Sequence, residues 1–438
     1  MSHRTRSLSL LIIILTFCAC GSTTVDVDKM LQEDLHIWNI KLEEVIVTDF
    51  FPPPVAARIY SYPNIASYEV LQSTNEKFLS LSNQLNEFSL KIPSDKEEKT
   101  VKLSSLFAFH KTARQLVFSG YLLDEFALEY KARLEKTFGP EIVTEAKQLG
   151  SNVAKQIVDW AKKDKYDEAR GYSKHSLSKK PGSWAPTPPD YMDALEPSWM
   201  KIRPFVLDSA SQFRPGPPLT YSTEEDSPFM QEVKFVHETV KNLDQEQTEI
   251  AKFWDCNPII IKHHGHASFA EKKLTPGGHW MSIARAISKK KNAAMMETAE
   301  VYALLSIGLH DSFISCWEEK YRSDLIRPVT MINQYIDANW LPILYTPNFP
   351  EHTSGHSVIS SCAATILTEK LGDNIAFIDS TETPYGMPPR AFKSFQEAAD
   401  EAAISRLYGG IHYRQAIDEG QTQGTNVGKL ILSKIKTR

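Results

Sequence analysis

Three short islands in the C-terminal part of the chain carry side chains that helix packing alone would not ask for. Lys320 stands seven residues ahead of Arg327-Pro328; Ser354-Gly355-His356 follows; Ser405-Arg406 then precedes His412, with Arg406 and His412 six apart. Three cations, two imidazoles and a hydroxyl are the donor set that would converge on one tetrahedral or trigonal-bipyramidal oxyanion. An ammonium point charge and planar guanidinium forks complement each other around such a group. An imidazole at its rim can give or take a proton near neutral pH. Each island alone has a plainer reading. Lys and Arg are common at helix C-termini, a Thr-Ser pair is an ordinary cap, and an Arg and a His six apart mean little without a break between them.

The elements around the islands supply that aim. Pro328 pushes Arg327 out of helical geometry, so its side chain can fold back toward Lys320. After Ser354, Val358, Ile359, Ala363, Ala364 and Leu367 recur at helical spacing. Thr353 or Ser354 caps that helix and leaves the amides of Gly355 and His356 at its positive end, where anions bind. Ser394-Phe395-Gln396-Glu397 reads as a capping box opening a helix to about Tyr408, and Gly409-Gly410 stops it. His412 is then expected to open the next helix, which runs towards Leu432. Arg406 and His412 would thus face each other across a tight corner.

In order and spacing the three islands resemble the family that unites the vanadium-dependent haloperoxidases with the type 2 phosphatidic acid phosphatases. Its pattern is Lys, six residues, Arg-Pro; then Ser-Gly-His; then Ser-Arg, five residues, His. The resemblance covers about Trp317 to Asp418 and implies a helical-bundle fold of the haloperoxidase/acid phosphatase type. It implies that Lys320, Arg327, Arg406, the Ser354 hydroxyl and the Gly355 amide bind vanadate or phosphate oxygens. His412 would be the axial partner, a ligand to vanadium in a peroxidase or the nucleophile that forms a phosphohistidine in a phosphatase. His356 would be the general acid and base. Two departures stand out: Thr353 replaces the usual Pro, and Ala416 stands where a carboxylate is expected four residues after the axial His. Asp418 would face another side of that helix. Another acid must then orient His412, with Asp311 as a candidate.

The rest of the chain reads as mainly α. Met30 to Phe50 ends at Pro52-Pro53-Pro54, where a helix cannot continue. Helical spacing predicts helices over Val55 to Leu90, Leu103 to Phe138 and Ile142 to Lys163. Residues 164–218 are rich in Pro, Gly and aromatics without a period, and loops of that size tend to be functional; they read as an excursion over the mouth of the site. Thr223 to Phe253 is helical again, opened by the acidic turn Glu224-Glu225-Asp226. His263, His264, His266 and His279 cluster in sequence, but neither a His-Glu-x-x-His pattern nor a neighbouring cysteine in sequence accompanies them, so they read as structural or substrate-lining rather than metal ligands. Thr298 to Trp317 is apolar enough to lie inside a bundle. No alternating run of useful length predicts a strand.

With 438 residues and a formal net charge of -5 spread over interspersed charges, the chain has no basic face for nucleic acid. Arg4 and Arg6 precede an apolar run, Leu8 to Phe17, that closes on Cys18-Ala19-Cys20-Gly21. It resembles a bacterial lipoprotein signal cleaved before Cys20, with the lipid on that sulfur. A secretory signal or an uncleaved anchor is the plainer alternative. The expected organisation is a signal over 1–20, a helical region over 21–222 and a catalytic domain over 223–438. The protein would be exported to the periplasm or cell envelope and held at the outer membrane by its lipid alone. Cys256, Cys316 and Cys362 are scattered and read as buried small residues.

Three functions compete. A haloperoxidase would use vanadate, hydrogen peroxide and a halide. An acid phosphatase would use a small phosphate ester and no cofactor. A ligand-binding lipoprotein would have lost catalysis. The absence of later membrane-spanning stretches, which lipid phosphatases need, favours the first.

Overall fold

Prolines and short polar breaks decide where the helices of this chain start and stop. The structure is a computed structural model and describes residues 26–438 apart from 94, 259, 265 and 266. The signal expected over 1–20, with Cys20, and His266 lie outside the described residues, as do the side chains of His263 and His264.

In the N-terminal half α1 spans Val27–Thr48, capped by the Asp26 side chain, and α2 spans Pro53–Gln72, started by the proline run. α3 (Glu98–Arg114), α4 (Tyr121–Phe138), α5 (Pro140–Ala161) and the short α6 (Tyr166–Gly171) follow. The helix expected over Val55 to Leu90 ends at Gln72. Phe78, Leu81, Leu85 and Phe88 are buried and recur like a helical stripe, but they enter the core from turns. The Glu69 carboxylate accepts the Leu81 amide at 2.6 Å, and Asn83 and Glu87 take positive φ. The helix expected over Leu103 to Phe138 is likewise two, parted at Ser119-Gly120.

The second half begins with α7 (Pro228–Lys241) and α8 (Gln245–Phe253). The acidic turn Glu224-Asp226 precedes α7 rather than forming its first turn, because Ser227 caps it and Pro228 occupies the first position. A hairpin of β1 (Ile260–His264) and β2 (Ala267–Glu271) comes next, then α9 (Pro276–Lys290), α10 (Met295–Ser323), α11 (Pro328–Tyr335) and α12 (Gly355–Leu371). A second hairpin, β3 (Phe377–Asp379) with β4 (Arg390–Phe392), leads to α13 (Phe395–Tyr408) and α14 (Arg414–Lys434). Both hairpins escape a search for alternation because their strands have only five and three residues.

α10 is the axis of the mainly α architecture. Every residue from Thr298 to Trp317 is buried, as its composition predicts, and α10 packs against α1, α2, α9, α12 and α14. One hydrophobic cluster runs from Leu31 through α10 to Ile435. Asp311, inside α10, accepts the amides of Phe205, Val206 and Leu207 at 2.7, 2.7 and 3.0 Å. It thereby anchors the end of the 164–218 excursion. That excursion is packed: Trp184 is fully buried, and residues 182–184 lie alongside 324–326, with Trp184 N–H donating to Asp324 at 2.7 Å and Ile326 N–H to Gly182 at 2.9 Å. None of the described helices is long and apolar enough to cross a membrane.

α14 reaches α12 over a ridge with no side chains. Gly420, Gly424 and Gly428 recur every four residues on one face. A Cβ at Gly424 would fall 2.0 Å from the Val358 carbonyl oxygen, a backbone atom that cannot swing away. Gly424→Ala should therefore cost about 3 kcal/mol, the upper end of ordinary overpacking penalties. Thermal unfolding followed by circular dichroism checks this, and an unchanged melting temperature would mean the helices can part at no cost.

Candidate active site

Each island sits where a helix starts or stops, and the stops have chemical causes. α10 ends at Asp324, which takes left-handed φ/ψ of 50° and 36°. The chain then extends through Arg327 (φ -79°, ψ 151°), the residue ahead of Pro328, as the proline rule requires. Ser354 caps α12, its hydroxyl accepting the Ser357 amide at 3.3 Å. Gly355 and His356 occupy the first two helical positions, whose amides have no intrahelical acceptor. Gly410, at φ +75°, turns the chain between α13 and α14. His412 lies two residues ahead of α14 rather than within its first turn, and Tyr413 is the cap.

These ends meet. Gly355, His356, Arg406 and His412 line one cavity together with Phe349, Trp317 and Leu195. Arg327 is fully buried; its Nε donates to the Phe349 carbonyl at 2.9 Å, and its Nη1 to the Ile411 carbonyl at 2.8 Å and to His412 Nε2 at 3.2 Å. Arg406 Nη1 donates to the Trp254 carbonyl. Phe349 lies over two of the cations, 4.8 Å from Lys320 Nζ and 5.1 Å from Arg327 Cζ.

Lys320 joins the site in a different way from that expected. Its ammonium donates to the carbonyls of Pro350, Glu351 and Thr353 at 3.1, 3.1 and 2.5 Å. An ammonium has three protons, so its donors are taken. What it contributes to the cavity is charge, and what its bonds fix is the loop leading to Ser354. Burial brings its pKa down to about 8.

Glu351, not Asp311, orients His412. Its Oε1 lies 2.7 Å from His412 Nδ1 and accepts the Tyr413 amide at 3.0 Å. Asp311 is occupied with its three backbone amides, and Asp418 pairs with Arg414 on the exposed face of α14. A carboxylate within the second island, beside a predicted cation cluster, was a visible signal. It is hard to read because it precedes His412 by sixty-one residues instead of following it by four. The Trp254 carbonyl leaves no trace in sequence. It receives Arg406 and also bonds the His356 ring.

The electrostatics favour an anion. The three buried cations face Glu351, whose own pKa burial raises to about 7 against the pull of Arg327 and Lys320, and Asp255, which lines the same cavity near Arg406 and pairs with Lys273 at 2.6 Å. Burial, then Arg327 and Lys320, push the His412 pKa well down; burial, then Arg406 and the charge at His279, do the same for His356. Both imidazoles are neutral at neutral pH. With Nδ1 held by Glu351, His412 carries its lone pair on Nε2, which here accepts from Arg327 Nη1 at 3.2 Å. Arg327 Nη2, Arg406 Nε and His356 Nε2 are buried without a protein partner, and buried polar atoms are rarely left so. A Cβ at Gly355 would meet only the Trp317 ring, at 3.9 Å, so the space beside it belongs to the cavity. This donor set fits vanadate or phosphate.

Lys320 makes that affinity pH-dependent. An anion favours its charged form, which is already present below pH 8; above it, binding must take up a proton. Affinity should then fall by up to about tenfold per pH unit above 8. Calorimetric titration with tungstate, a dianion throughout that window, reads this directly, and a flat profile would remove Lys320 from the charge balance.

His279 is buried, as a structural role requires, with Asp379 Oδ2 2.6 Å from its Nε2. Although no cysteine neighbours it in sequence, Cys256 Sγ lies 3.4 Å from its Nδ1.

The comparisons agree with this geometry. A family model for the VCPO second helical-bundle domain matches residues 300–339 and 334–438. The crystal structure of the first bacterial vanadium-dependent iodoperoxidase superposes with a TM-score of 0.87 at 45% identity, covering 93% of this chain and 97% of that one. The holo and apo forms of a bacterial vanadium-dependent chloroperoxidase share the fold at 16% identity, with TM-scores of 0.69 and 0.68, each over 90% of this chain and 95% and 97% of theirs. Curated protein sequences give no match. On the extent and identity of the first of these structural matches, the chain belongs to the vanadium-dependent haloperoxidase family.

Proposed function

We propose that the protein is a vanadate-dependent haloperoxidase that oxidises iodide with hydrogen peroxide. The observation that carries this reading is the meeting of two neutral imidazoles with three buried cations around one cavity. Arg327 and Arg406 would hold vanadate oxygens with the Ser354 hydroxyl and the Gly355 amide. Lys320 supplies further positive charge, and His412 offers Nε2 to the metal. When bound, vanadate supplies a Lewis acid that polarises peroxide toward attack by halide. His356, neutral and with Nε2 unpartnered, takes the peroxide proton and returns it to the departing oxygen.

Iodide is favoured by the relative at 45% identity, an iodoperoxidase. The aromatic wall of Phe313, Trp317 and Phe349 also suits a large, weakly hydrated anion. The test is the apo-protein reloaded with vanadate and assayed side by side for peroxide-dependent oxidation of iodide, bromide and chloride and for hydrolysis of p-nitrophenyl phosphate. Iodide oxidation well above the other two halides is expected. Ester hydrolysis that vanadate inhibits, without halide oxidation, would transfer the site to phosphatase chemistry. We also read the chain as exported and lipidated at Cys20; fatty-acid labelling that persists in Cys20→Ser would overturn that.

A further inference from the structure

At the wall of the cavity, which Cys256 itself lines, the structure gathers a second set of chemically committed side chains. Cys256, in the loop after α8, His279, in the first turn of α9, and Glu382, beyond β3, are all buried. Cys256 Sγ lies 3.4 Å from His279 Nδ1 and 3.7 Å from Glu382 Oε1, and His279 Nδ1 lies 3.1 Å from that same oxygen. The other ring nitrogen, Nε2, is 2.6 Å from Asp379 Oδ2.

These separations are the edges of a coordination tetrahedron. Zinc bonds of about 2.3 Å to sulfur and about 2.1 Å to nitrogen and oxygen, at tetrahedral angles, require edges of about 3.6 Å for S to N and S to O and about 3.4 Å for N to O. All three observed edges fall within about 0.3 Å of those values. Sulfur, imidazole and carboxylate together suit a borderline-soft ion such as zinc better than magnesium or calcium. Asp379 supplies the carboxylate that metal-bound histidines recruit on their far nitrogen, which leaves Nδ1 as the ligand atom.

We propose that Cys256, His279 and Glu382 bind one zinc-class divalent cation, with Asp379 orienting His279 and water completing the tetrahedron. The ion acts on the oxyanion site through the loop it pins. Trp254, two residues before Cys256, stacks on His279 with ring centroids 4.6 Å apart at 22°. Its carbonyl receives Arg406 and bonds the His356 ring. Cys256, His279, Glu382 and Asp379 are thus positioning residues for the oxyanion site, distinct from the groups that touch vanadate.

Thiol hydrogen bonds would fill the same distances, and metal analysis separates the two. The full chain, equilibrated with zinc and desalted, should retain about one zinc per chain by mass spectrometry, whatever its vanadate content. Cobalt(II) in its place should give the thiolate-to-cobalt charge-transfer band of a tetrahedral site. Cys256→Ser should abolish that band, Glu382→Gln should lower the zinc retained, and Asp379→Asn should weaken zinc about 10- to 100-fold. Wild-type protein that retains no zinc and shows no band overturns the proposal. So does metal content unchanged in both Cys256→Ser and Glu382→Gln. Should a variant fail to fold, the stoichiometry and band of the wild type, compared with Cys316→Ala, decide the matter.

Discussion

Replacing His412 by Ala should leave vanadate-loaded protein with no iodide oxidation above the uncatalysed rate. His412 offers the cavity a neutral nitrogen lone pair held in a fixed direction: Glu351 secures Nδ1 at 2.7 Å, and Arg327 lies 3.2 Å from Nε2. The loss should exceed the roughly 10² to 10³-fold typical of deleting one oxyanion donor, because the side chain that would ligate vanadate is lost along with its alignment. Glu351→Gln provides the internal comparison. Its amide oxygen can still accept from Nδ1, so activity should fall only about 10- to 100-fold, as for other partners that orient a metal ligand. Steady-state kinetics with vanadate in excess measures both. A His412→Ala protein within tenfold of wild type would assign the role of vanadate ligand to another residue.

Arg406→Ala should lower kcat by about 10² to 10³-fold, equivalent to about 2.7 to 4 kcal/mol of lost stabilisation, and should weaken vanadate binding. Arg406 is 2% exposed, one arm is fixed on the Trp254 carbonyl, and its Nε has no protein partner. A lysine cannot reproduce that planar fork, so Arg406→Lys should recover little. The same substitution should destabilise the anion-free protein little, since the lost bond to the Trp254 carbonyl and attraction to Asp255 are offset by relief of repulsion with Arg327. Calorimetry in the presence and absence of vanadate separates the two effects. A lowered melting temperature in the absence of any anion would show that the guanidinium braces the fold instead of serving the ligand.

The site was legible in sequence where chemistry and chain punctuation coincide. Pro328, Ser354 and Gly409-Gly410 each force a helix to begin or end, and each lies beside a charged or imidazole side chain. The central helix was legible because Thr298 to Trp317 offers no polar face. What escaped was settled by distant partners. Phe78 to Phe88 has helical spacing, yet Glu69 draws the backbone into turns. Lys320 looked like a ligand-facing donor, but three carbonyls of the 350–353 loop claim its protons. Glu351 and Cys256 reach their partners across sixty-one and twenty-three residues, and no local pattern encodes such a contact.

The surplus of buried positive charge has an ecological corollary. A pocket assembled as an incomplete ion cluster accepts any tetrahedral anion of suitable size, and phosphate is the common one. The working fraction of these molecules should therefore follow the ratio of vanadate to phosphate in the surrounding medium. At fixed vanadate, lowering phosphate would switch the population on without any change in how much protein is made.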